Sequence, residues 1–148
     1  MQTKNPLENL KSVDLSHLSK EEAKEFTLLL EELEKREKRE SSMASFYDFV
    51  KTIWPEFIAG AHHKKMAEAF DKIAAGESKR LIINMPPRHT KSEFASYLFP
   101  AYLLGKRPKL KIIEATHTAD LAINFGRRVR DLIESDHYAE IFPATQLK

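Results

Sequence analysis

Leu81-Ile82-Ile83-Asn84-Met85-Pro86-Pro87-Arg88-His89-Thr90-Lys91-Ser92 is the stretch on which the reading of the chain turns. Leu81-Ile82-Ile83 is a short apolar run after Lys79-Arg80, the pattern of a buried parallel strand. Met85 to Thr90 cannot continue a regular element, because the paired prolines remove two backbone donors and fix φ. From Lys91 the apolar residues Phe94, Leu98 and Ala101 recur at helical spacing, which predicts a helix over 91–104, kinked by Pro100 and ended by Gly105. A second apolar run, 111–116, predicts another strand, and Thr118 is placed to cap a helix over 118–134. Strand, helix, strand, helix is the rhythm of a βαβ unit. The expected fold class is therefore α/β, with a parallel sheet and a right-handed crossover.

The turn between strand and helix has the chemistry of a phosphate site. The first N–H groups of a helix are unbonded and its dipole is positive there, so an anion is stabilised. A lysine at the helix start can reach the outer phosphates, and a hydroxyl just after it can ligate Mg²⁺. Lys91 and Ser92 occupy those two positions. The strict spacing Gly-x-x-x-x-Gly-Lys-Ser/Thr is not met, since Met85 and Thr90 stand where the glycines belong. A Lys-Ser pair means little alone, so the reading rests on the apolar run before it and the amphipathic stretch after it.

Upstream, the chain divides by charge. Residues 1–45 carry 8 basic and 10 acidic side chains, and residues 46–148 carry 16 and 12, which together give the net charge of +2. The arm, 1–45, contains a helix signal: Ser19 and Glu22 form a capping box, and Phe26, Leu29, Leu30 and Leu33 follow at helical spacing. Its charged run, 34–40, reads either as a solvated helix end or as a partner-binding surface. Beyond the arm, Phe46, Tyr47, Phe49, Trp54 and Phe57 are dense, and a helix is expected over 62–75, with Met66, Phe70 and Ile73 on one face and Gly76 as its stop.

Composition excludes several classes. With 42% apolar residues and four glycines in 148, the chain can bury a core. Without cysteine there is no disulfide framework and no thiolate metal site. No apolar stretch approaches the roughly 20 residues of a membrane span, and the start lacks the pattern of an export signal. A soluble intracellular protein is expected.

The run RLIINMPPRHTKSEFASYLFPAYLLGKRP, together with Trp54, Pro55, Phe57, His62 and His63 upstream and FGRRVRDLIESDHYAEIFP downstream, resembles the ATPase motor of large terminase subunits, which package the DNA of tailed bacteriophages. The likeness extends over roughly 46–147 and identifies the 46–148 segment as the N-terminal part of a P-loop ATPase domain. Thr90 departs from the family's usual glycine.

The resemblance implies roles residue by residue. The loop Pro87, Arg88, His89, Thr90, Lys91 and Ser92 would hold ATP. Lys91 would grip the β- and γ-phosphates, and Ser92 would ligate Mg²⁺. Arg88 would either sense the γ-phosphate or be a surface arginine, and His89 would either pack the loop or take part in catalysis. Phe57 or His62 would contact the adenine, unless these rings are core. Arg127 and Arg130, opposite the stripe Leu121, Phe125, Val129 and Leu132, would either be a solvated face, contact a DNA backbone, or offer an arginine to a neighbouring subunit's nucleotide. Lys106, Arg107, Lys109 and Lys111 form a second basic cluster that could attract phosphate.

The implied partners are double-stranded DNA, the portal, the small terminase subunit and further copies in a ring, in the host cell cytoplasm. The family's acidic strand and nuclease carboxylates are not found in these 148 residues. The chain alone is therefore expected to show negligible ATPase activity. The alternative is a non-hydrolysing nucleotide- or partner-binding module.

Overall fold

Phe46 makes ring contacts with five other aromatic side chains, and the architecture follows from how the helices deliver them. Its centroid lies 5.2 Å from Phe70, 5.5 Å from Phe94, 5.4 Å from Phe99, 5.4 Å from Tyr102 and 6.3 Å from Phe49. Most of these pairs are edge-on or tilted, which brings the positive ring edge toward a negative ring face. Phe46, Phe49, Phe94 and Tyr102 are fully buried.

The computed structural model describes residues 17 and 19–145. The described residues form α1 (Lys20–Ala44), α2 (Phe46–Ile53), α3 (Ala61–Ala75), a π-helical segment (Glu93–Leu98) continuing into α4 (Phe99–Lys106), then α5 (Ala119–Ile133) and α6 (Asp136–Ile141). The chain separates into two compact units, Met1–Glu40 and Ser41–Lys148. Residues 1–16 of the expected arm, and the last residues of the terminase-like stretch, lie outside the described residues.

The expected α/β class is corrected: the described residues are helical and contain no strand, so there is no parallel sheet. Both runs assigned to strands, 81–83 and 111–116, lack regular structure, and their middle residues Ile82 and Ile113 are each 94% exposed. The physical reason is that a strand exists only against a partner. Apolar, β-branched residues favour a pleated surface, but they do not by themselves supply the ladder that makes it.

The helices themselves follow local rules. Ser19 and Glu22 form the expected reciprocal cap on α1: the Ser19 N–H donates to Glu22 Oε2 at 2.9 Å and the Glu22 N–H to Ser19 Oγ at 3.3 Å. Those bonds hold the Glu22 carboxyl below its ordinary pKa. Within the first unit Leu28, Leu29 and Leu33 are exposed, and Arg36 pairs with Glu40 at 3.0 Å.

In the second unit, Ser45 caps α2 by accepting from the Asp48 N–H. The Asp71 carboxylate accepts the Phe46 N–H at 2.9 Å, satisfying another unbonded group of that helix start. Burial raises the Asp71 pKa, against the lowering effects of that hydrogen bond and of Lys106. Gly76 ends α3 in the left-handed region, φ 82°, as expected of a glycine stop. Thr118 caps α5 by accepting from the Leu121 N–H, also as expected.

At Pro100 the helix departs from regular α pitch. A proline in an α-helix leaves the carbonyl four residues earlier unbonded and collides with it. Here the turn before it widens to π pitch, and the Phe99 N–H bonds to Phe94 O, five residues back. That pitch brings Phe94 and Phe99 onto one side, where both meet Phe46; an α-helix would set them about 140° apart. Gly105 does not end the helix. α4 runs to Lys106, and Gly105 is where the Phe142 ring lies against the backbone, in the space a Cβ would need.

Candidate phosphate loop and its histidine clamp

The loop between residue 85 and the helix start has two non-glycine residues in the left-handed region: Arg88, φ 64°, and Thr90, φ 56°. For a β-branched residue this backbone is strained by about 1–3 kcal/mol and persists only if neighbours hold it. At Thr90 the holding groups are visible. His63, on α3 and 6% exposed, places Nε2 at 2.6 Å from Thr90 Oγ1. Its other nitrogen, Nδ1, accepts the Gly60 N–H at 2.9 Å. An accepting Nδ1 fixes the neutral tautomer with the proton on Nε2, so His63 donates to Thr90. The Thr90 hydroxyl passes its own hydrogen to His89 O at 2.7 Å. His89 Nδ1 donates to Pro87 O at 2.9 Å, closing the turn on itself.

Aromatic rings pack around the buried His63 end of this chain of bonds, while its His89 end is exposed. Phe57 is 4.8 Å and Phe94 5.5 Å from the His63 centroid, and His62 lies tilted against His63 at 3.8 Å. Burial, followed by the charges His62 and His89 can carry, lowers the His63 pKa. Both effects favour the neutral form that the two hydrogen bonds require.

A left-handed residue followed by the right-handed first turn of a helix turns successive N–H groups inward, the backbone concavity that receives anions. Thr90 followed by helical Lys91 and Ser92 has that form. Thus the threonine that breaks the phosphate-loop spacing adopts the backbone a glycine would adopt, held there by a side chain instead of permitted by the lack of one. Lys91 and Ser92 also form the polar side of an open cleft of about 360 Å³, whose apolar wall is Phe70, Ile73, Leu81 and Ile83.

The structure brings Pro87, Arg88, His89, Thr90, Lys91 and Ser92 together at this helix start. Pro87, Arg88, His89 and Ser92 are exposed, and Thr90 and Lys91 are half-buried. Phe57 is half-buried between Trp54, His63 and Phe94, which makes it a packing ring. His62 is exposed, 5.9 Å from His89. Neither Phe57 nor His62 lines the 360 Å³ cleft. Ser92 fits as one ligand of an Mg²⁺ that keeps phosphate and water as the rest of its shell.

Two residues central to this geometry were given no role from the sequence: His63, named only as part of the upstream pattern, and Arg128. His63 had a usable signal, because it precedes Met66, Phe70 and Ala74 on the buried stripe of α3. Arg128 had none, since its partners are distant in the chain. It forms a two-pronged pair with Glu93, at 3.0 and 2.5 Å, and lies 4.2 Å from the Tyr97 ring. This ties α5 to the π segment that begins just after Ser92. Both partners are over a third exposed, so the pair contributes no more than about 1 kcal/mol.

Of the basic residues, Arg127 and Arg130 are exposed as expected, and Arg130 pairs with Asp131 at 2.7 Å. In the second cluster, Arg107 donates to Ala74 O at 2.8 Å and Lys106 to the Tyr102 hydroxyl at 3.2 Å. Those two cations are thus partly committed to packing. Among the described residues no three His, Asp or Glu side chains converge on a metal position, and no helix is long and apolar enough to cross a membrane. Comparison with protein-family models, with curated proteins and with solved structures returns no match.

Proposed function

We propose that the chain binds the phosphates of ATP through the 85–92 loop, as the N-terminal part of a phage terminase large subunit. The observation that carries the reading is the left-handed Thr90 backbone at the start of the helix bearing Lys91 and Ser92. Backbone N–H groups would take the phosphate oxygens, Lys91 would neutralise their charge, and Ser92 would hold the Mg²⁺ that accompanies them. Bound Mg²⁺ would draw charge from the β- and γ-phosphates. Arg88, exposed and adjacent, is available to the terminal phosphate, and the exposed ring of His62 to the base.

The rest of the reading follows from the sequence resemblance. The complete motor would push double-stranded DNA through the portal in the host cytoplasm, as a ring, with the small terminase subunit as partner. Arg127, exposed and without an ion pair among the described residues, is suited to DNA backbone or to a neighbour's nucleotide.

Titration of a fluorescent ATP analogue with Mg²⁺ against the wild-type chain and Lys91→Ala tests the reading. Saturable binding by wild type, weakened about 10- to 100-fold in Lys91→Ala, is expected for loss of a charge-assisted contact. Equal affinity of the two proteins would overturn it.

A further inference from the structure

We infer that His63 is a positioning residue for the phosphate loop: its Nε2–H bond to Thr90 replaces the conformational freedom of the missing glycine and holds the backbone N–H groups of the helix start open to an anion. The inference rests on the nucleotide reading above and names the device that makes that site work. Its parts are independent of one another. Thr90 is in a region of φ that its side chain disfavours. His63 is buried, yet each of its ring nitrogens has one partner, Gly60 N–H on one side and Thr90 Oγ1 on the other. Gly60 also opens α3, so one imidazole joins the start of α3 to the loop that precedes Lys91. A glycine phosphate loop needs no such tie, because glycine takes positive φ without cost. A threonine loop without the tie would relax toward negative φ and turn the N–H groups away. The residue pair therefore works as a unit: the substitution at 90 requires the imidazole at 63.

That dependence gives a test by rescue, using the full 148-residue chain and the fluorescent ATP analogue. His63→Ala is expected to weaken binding about tenfold or more, because the loop's strain is no longer opposed. His63→Gln, which offers a donor near the Nε2 position, should stay within about threefold of wild type. Thr90→Gly in the His63→Ala background should return affinity to within about threefold of wild type, since glycine needs no clamp. Circular dichroism of each variant confirms that the helices persist, and the imidazole ¹⁵N shifts of wild type should report His63 protonated on Nε2 with bare Nδ1.

Wild-type affinity in His63→Ala overturns the inference while leaving the nucleotide reading intact, as does a double variant that binds as weakly as His63→Ala. Failure of the wild-type chain itself to bind, with the His63 tautomer as described, overturns the nucleotide reading and the inference with it. A collapsed His63→Ala whose helices return in His63→Gln, with loss of affinity in that folded variant, also counts against it.

Discussion

At the residue scale, His63 carries two obligations that a protonated imidazole cannot meet together. As an imidazolium it would donate from both nitrogens, and Nδ1 would then face the Gly60 N–H donor to donor. Burial, then the charges of His62 and His89, hold its pKa below the ordinary 6.5. The folded chain therefore takes up this proton less readily than the unfolded chain. The neutral ring's contribution to stability is complete above 6.5 and is lost as pH falls from there through the folded-state pKa. Urea midpoints should accordingly be lower at about pH 5 than at about pH 7.5, and His63→Gln should shrink that difference. A difference of the same size in His63→Gln would assign the acid sensitivity elsewhere. The sequence showed Lys91 and Ser92 plainly, because their chemistry is local. It showed Thr90 as a departure without its remedy, because the compensating histidine lies 27 positions away.

At the element scale, caps and stops were readable because each is a local exchange between a side chain and the nearest backbone groups. Ser19 with Glu22, Gly76 and Thr118 all act as their spacing implies. Pro100 and Gly105 were recognised as special, but the π turn at the first and the packing contact at the second were not. Proline's missing donor is absorbed by a π turn that also aligns Phe94 with Phe99. Gly105 is small because Phe142, from the segment after α6, lies directly on it. That contact is non-local, so no pattern within 91–106 could reveal it. Gly105→Ala should gain helix propensity yet lose net stability by about 1–3 kcal/mol through overpacking, measured by thermal or urea unfolding. An unchanged or raised midpoint would show that the Phe142 ring moves aside without cost.

For the whole molecule, the aromatic centre was foreseen as a dense run of rings, and its helical partners bring Phe70, Phe94, Phe99 and Tyr102 to it from three other segments. The sheet was not there to be found. Apolar runs at 81–83 and 111–116 alternating with helices match the α/β rhythm, but pairing is a property of two segments together, and Ile82 and Ile113 face away from the core. Ile82→Lys and Ile113→Lys should each change stability by less than about 0.5 kcal/mol, as exposed substitutions do. A cost of about 2 kcal/mol or more would place those side chains in a buried layer after all.

The central claim is that the 85–92 loop receives phosphate, and its most direct test is a titration of the ¹⁵N-labelled chain with ATP and Mg²⁺ followed through the backbone amides. The largest shift changes should fall on Thr90, Lys91 and Ser92, and in Lys91→Ala they should need about 10- to 100-fold more nucleotide. Saturating nucleotide that leaves those three amides unmoved, or moves amides elsewhere in the chain instead, would contradict it.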